Sequence, residues 1–120
     1  MIREEHRMCV FLVKWAKSMT LIYPSLSYLY HIPNEGKRSI ITGKRLKDAG
    51  LVPGMPDYCL PVSCHGYGSL YMEIKQPGKK PTDTQMDALR MLSLAGNYAT
   101  WTDRVDRAIE ILTWYVKDGR

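Results

Sequence analysis

Apolar residues recur at helical intervals near the start of the chain: Met8, Phe11, Leu12, Trp15, Ala16 and Met19. Steps of three and four place them on one side of an α-helix, so the chain opens on an amphipathic helix with Phe11 in its core stripe. The period then changes. Residues 27–32 are aromatic and β-prone and read as a strand ended by Pro33. Residues 43–50 read as a short basic helix with Gly50 as its C′ residue. Residues 58–62 and 70–75 are two strands about the glycine-rich turn 64–68, and Pro77-Gly78 breaks the chain again. A helix over 82–94 and a short strand over 98–101 follow. Val105, Ala108, Ile109, Leu112 and Val116 mark a final amphipathic helix. The order α-β-(short helix)-β-β-α-β-α predicts one mixed α/β domain over residues 1–120, without an internal repeat or a low-complexity linker.

The polar positions of the second and third strands carry the candidate chemistry. Gly54-Met55-Pro56-Asp57 leads into one, and Tyr71-Met72-Glu73-Ile74-Lys75 closes the other. Residues two apart in a strand share a face. Glu73 and Lys75 therefore project together, while Leu70, Met72 and Ile74 project into a core. If the two strands pair, Asp57 lies beside Glu73. Two carboxylates and an ammonium in one pocket suit a divalent cation that assists phosphodiester cleavage. Mg²⁺ and Mn²⁺ take oxygen ligands, acidify a bound water and neutralise charge on phosphate. A lysine can orient that water or steady the leaving charge. An isolated E-x-K is more often a solvated cross-strand pair. The Pro-Asp upstream shifts that balance, and so does the order of the motifs around it.

His31-Ile-Pro-Asn34-Glu-Gly-Lys-Arg38, Leu46-Lys-Asp-Ala-Gly50, Pro53-Gly-Met-Pro-Asp57, Glu73-Ile-Lys75, Pro77-Gly78 and Gln85 follow one another at suitable gaps over nearly the whole chain. This ordered set resembles the VRR-NUC family, the virus-type replication-repair nuclease domain of the PD-(D/E)XK superfamily. The resemblance implies a restriction-endonuclease-like α/β core, with a mixed central sheet flanked by helices. It implies a metal-dependent DNA endonuclease using Mg²⁺ or Mn²⁺. Asp57 and Glu73 would be metal ligands, the backbone carbonyl of Ile74 an extra ligand, and Lys75 the residue that positions or activates water. Glu5 and Gln85 would assist. Stand-alone members of this size resemble phage proteins, which would work in the cytoplasm of a bacterial host. The resemblance further implies a homodimer cutting branched DNA such as Holliday junctions, since a two-fold junction offers two equivalent strands to a two-fold dimer. A flap or single-strand nuclease is the nearest alternative. A DNA-binding module without catalysis is the alternative of another class, and the intact acid-acid-lysine set speaks against it.

Several residues have two readings. Glu5, or its neighbour Glu4, matches an acid that the family carries near the metal on the first helix, but both also suit a helix N-terminus, where negative charge meets the dipole. Glu5 is preferred. Cys9 stands one turn later, where the family often has Gln. Gln85 closes a Thr82-Asp-Thr-Gln85 capping box, yet a helix Gln after E-x-K lies beside the active site in related nucleases. One amide is not expected to do both jobs, and the active-site role is preferred. His31 and Asn34 can shape the site or simply hydrogen-bond at a strand end. The aromatic first strand is read as core rather than as a base-stacking platform.

Net charge is +5 over 120 residues, which favours a polyanionic partner. Lys37, Arg38, Lys44, Arg45, Lys47, Lys79 and Lys80 fall in predicted loops and the short helix, where phosphate contacts are their natural role and plain solvation the alternative. Three cysteines, Cys9, Cys59 and Cys64, are odd in number and read as reduced cytoplasmic thiols. Cys59, Cys64 and His65 lack a C-x-x-C pair, so a zinc site ranks below a structural role. No signal peptide or membrane span is expected. The apolar run 8–15 is broken by Lys14 and too short to span a bilayer.

Overall fold

The computed structural model describes residues 4–33 and 40–117. Their element order is α1 (Glu4–Ser18), a 3₁₀ turn (Pro24–Tyr28), β1 (Tyr30–His31), α2 (Ile40–Asp48), β2 (Tyr58–Leu60), β3 (Leu70–Ile74), α3 (Asp83–Leu94), β4 (Tyr98–Thr102) and α4 (Val105–Lys117). The four strands form one sheet in the order β1-β2-β3-β4. The first three are antiparallel, and β3 pairs with β4 in parallel. A parallel neighbour needs a crossover, which α3 supplies. The result is the mixed sheet with flanking helices that the family resemblance implies.

One core unites the two terminal helices with the sheet. Met8, Leu12 and Ala16 of α1 meet Ala108, Ile111, Leu112, Tyr115 and Val116 of α4 over Leu60, Leu70, Met72 and Ile74. Leu70, Met72 and Ile74 take the inward positions expected of them. Tyr115, within the apolar stripe of α4, is fully buried and donates its hydroxyl to the Val62 carbonyl at 2.7 Å.

Several boundaries differ from the sequence reading, each for a local reason. Residues 27–32 are not a full strand. Pro24 opens a 3₁₀ turn, Ser27 Oγ donates to the Pro24 carbonyl at 2.8 Å, and only Tyr30–His31 pairs with β2. Tyr28 and Tyr30 are exposed rather than core, while Leu26 carries the burial of this segment. Phe11 is 57% exposed. It lies about 100° round the helix from Leu12, off the buried stripe. Strand β2 stops at Leu60 because Pro61 has no N–H to continue a ladder. Val62 N–H instead turns back to the Leu60 carbonyl at 2.9 Å. Helix α2 ends as predicted: Gly50 is left-handed (φ 106°), and the Gly50 and Leu51 amides return to Lys47 and Leu46.

Candidate metal centre

Asp57 is set by backbone on two sides. Its carbonyl accepts the Ile32 N–H at 2.7 Å, tying it to the end of β1. Its Oδ2 accepts the Ile74 N–H at 2.7 Å, tying it to β3. The register places Tyr58 opposite Met72, so the next pair outward is Asp57 and Glu73. Glu5, near the start of α1, completes the group. Oxygens of Glu5, Asp57 and Glu73 all lie within 4.8 Å of one another. Among the described residues this is the one cluster with metal-ligand spacing. Glu4 is exposed and outside it.

Glu73 is 2% exposed. Its Oε2 receives Lys75 Nζ at 3.3 Å and Gln85 Nε2 at 3.3 Å, whereas Oε1 is buried with no hydrogen-bond partner. A buried carboxylate oxygen left unpaired is costly. Burial, followed by the Asp57 charge, raises the Glu73 pKa to about 8 against the pull of Lys75. Burial likewise raises that of Asp57, opposed by the Ile74 amide and by the charges of His31 and Lys75. Two acids are thus forced together where a proton or a cation must relieve them. The donors are hard oxygens with one unsatisfied lone-pair set, which fits a hard divalent cation.

Gln85 makes both the capping contacts and a contact to Glu73. Thr82 N–H donates to Gln85 Oε1 at 2.8 Å and Thr82 Oγ1 accepts from Gln85 N–H, closing the capping box. The amide's other end donates to Glu73. An amide has separate acceptor and donor ends, so one side chain caps α3 and steadies the acid.

Glu5 and Asp57 line a groove of about 560 Å³ beside α1. Cys9, Val10, Val13 and Tyr58 make its apolar lining, and His6, Lys14, Lys17 and His31 its basic one. Burial pushes the Cys9 thiol up to about 11, so it stays neutral next to the acids. His6, Lys14 and Lys17 lie between the apolar positions that make α1 amphipathic, and the i, i+4 step from His6 to Val10 to Lys14 is the sequence signal that places them together.

Other predicted residues lie elsewhere. Lys37, Arg38 and Asn34 fall outside the described residues. Lys44 pairs with Asp48 at 2.9 Å on the exposed side of α2, which also carries Arg45 and Lys47. Lys79 and Lys80 are exposed in the connection after β3. Ile74 gives its N–H to Asp57. Cys59 and Cys64 are buried and in no disulfide. His65 stacks on Trp114 with centroids 4.0 Å apart, so this trio is not a zinc site.

A short mixed sheet bearing an aspartate at one strand's start and E-x-K on the next defines the PD-(D/E)XK-type fold. More narrowly, the chain has the VRR-NUC fold. It superimposes on a solved structure described as a VRR_NUC domain protein with TM-score 0.82 and 23% identity, covering 99% of this chain and 93% of that one. No family model matches the sequence. No curated protein matches it either. No described helix is long and apolar enough to cross a membrane.

Proposed function

We propose that this chain is a metal-dependent, structure-specific DNA endonuclease. The observation that carries the reading is the Glu5–Asp57–Glu73 cluster, with Asp57 and Glu73 buried, Glu73 Oε1 unpaired and Lys75 alongside. Asp57 and Glu73 would hold Mg²⁺ or Mn²⁺, with Glu5 and the Ile74 carbonyl as further oxygen donors. A bound divalent ion supplies a more acidic water and neutralises charge developing on the phosphate. The protein's part is placement. The Ile74 amide fixes the Asp57 carboxylate, and Gln85 holds Glu73 Oε2 as a positioning residue. The Lys75 ammonium donates at the same edge, where it can hold the attacking water or steady the scissile phosphate. The VRR_NUC neighbour and the net charge of +5 support DNA as the polyanion.

The preferred substrate in this reading is branched DNA, cut by a homodimer at a four-way junction, with flaps and single strands as the alternative. The test is cleavage of labelled duplex, flap and four-way junction with Mg²⁺ or Mn²⁺ by the native chain, Asp57→Asn and Glu73→Gln. The native chain should cut branched substrates, and each variant should lose about 10²–10³-fold or more, the scale for removing one fixed stabiliser of developing charge. Full cleavage by both variants would remove the assigned site.

A further inference from the structure

The groove beside α1 is larger than a metal ion needs, and it runs along the helix. From Glu5 to Lys17 is twelve residues, about 18 Å of helix rise. At the 3.4 Å spacing of a stacked strand that is about five nucleotides. Its two sides differ in chemistry. Cys9, Val13 and Tyr58 offer an apolar floor beside the acids. His6, Lys14 and Lys17 are exposed along the same helix, and His31 stands at the end of β1. Helical rotation of 100° per residue spreads Val13, His6, Lys17, Val10 and Lys14 through about 100° of one flank, next to the stripe that α1 buries. An apolar floor with a basic rim is how proteins track one nucleic-acid strand: bases or sugars lie on the floor and phosphates meet the cations. A duplex would instead need cations facing both strands across its width.

Building on the flap or single-strand form of the nuclease reading, we propose that the α1 groove is a single-strand path: one unpaired strand of a flapped or splayed DNA lies along it, with Lys14 and Lys17 on its phosphates, and leads into the Glu5–Asp57–Glu73 cluster. The floor excludes water beside the scissile phosphate. The rim fixes which strand reaches the acids, so α1 sets strand choice. The basic residues of α2 lie outside this lining and are not required for it.

The test measures binding without chemistry. A labelled single strand and a splayed duplex are titrated in EDTA with the native chain, with Lys14→Glu/Lys17→Glu, and with the charge-preserving Lys14→Arg/Lys17→Arg. Both substitutions are on exposed positions, and thermal melting checks that each variant is folded. The charge reversal should weaken single-strand binding at least tenfold and flatten the log–log salt slope by about 1.4, two contacts at 0.7 each. The arginine pair should bind like the native chain. A photo-crosslinker attached through the thiol that Lys17→Cys introduces should label the unpaired arm of the splayed substrate and not the duplex arm. The native chain, treated alike, gives the background from its own half-buried Cys9. Unchanged affinity and slope, or adducts on the duplex arm, overturn the strand path. Those outcomes leave the nuclease reading standing, since that reading is judged by cleavage with Asp57→Asn and Glu73→Gln. Native protein that binds neither DNA in this assay also overturns the strand path.

Discussion

Gln85 joins the start of α3 to Glu73: Oε1 accepts the Thr82 N–H at 2.8 Å while Nε2 donates to Glu73 Oε2 at 3.3 Å. The helix cap and the acid are therefore coupled through one amide. Glu at this position can still close a capping box, but it cannot donate to Glu73. Gln85→Glu should keep the cap while losing turnover, because a fourth carboxylate pushes on Glu73. Gln85→Ala should lose both, at a stability cost of about 1 kcal/mol for the cap bond. Melting curves and cleavage rates of the two variants separate the jobs. Equal activity of Gln85→Glu and the native chain would make the Glu73 contact incidental.

The pH dependence follows from Glu73, raised from 4.5 to about 8 chiefly by burial and by Asp57. The folded metal-free chain holds a proton that the unfolded chain releases near its ordinary pKa. This contribution to stability is complete below about pH 4.5 and is lost as pH climbs towards 8. A divalent cation must displace that proton, so its stabilising effect grows over the same interval. Melting with and without Mg²⁺ should show a larger metal increment at about pH 8.5 than at about pH 6. Glu73→Gln should raise the metal-free melting temperature at alkaline pH and abolish the increment. A metal increment independent of pH would contradict the shared-proton account.

The loop before Asp57 depends on Gly54. Its φ is 82°, and a Cβ there would stand 2.7 Å from Thr84 Cγ2 and 3.1 Å from the Thr84 carbonyl. Gly54→Ala would thus strain the backbone and push on the first turn of α3, which carries Gln85. Gly50 is also left-handed, but a Cβ there meets nothing within 4 Å. Gly50→Ala should cost only the conformational term, about 1 kcal/mol. Gly54→Ala should cost more and also slow cleavage. Equal losses of stability in the two variants would show that α3 yields freely.

The acids of the sheet were legible because a strand's period of two is exact. Glu73, Lys75 and the inward Leu70, Met72 and Ile74 follow from it, and Asp57 follows from pairing. Glu5 needed the family pattern, since only tertiary packing brings the start of α1 to the strand ends. Residues 27–32 misread because Tyr and Ser suit both a strand and a 3₁₀ turn, and Pro24 decided between them. His6, Lys14 and Lys17 share one side of α1 by helical spacing, but only tertiary packing sets that side opposite His31 and Tyr58.

Assembly is the last expectation. Paired cuts at a junction need two sites in fixed geometry. Tyr115 is fully buried, so it is spent on the core and cannot serve an interface. Exposed apolar residues in and just before the aromatic segment are Leu21, 97% exposed, Ile22, Tyr28 and Tyr30. A stable dimer buries about 800 Å² on each partner, and charges placed in such a patch oppose it. The chain should be a homodimer at micromolar concentration by light scattering, and Leu21→Asp/Ile22→Asp should be a folded monomer. That monomer should nick a four-way junction without resolving it by paired cuts, since its metal centre is untouched. A native chain that stays monomeric with and without the junction would remove the resolvase reading and leave flap or single-strand cleavage, with the carboxylate cluster and the α1 groove unchanged.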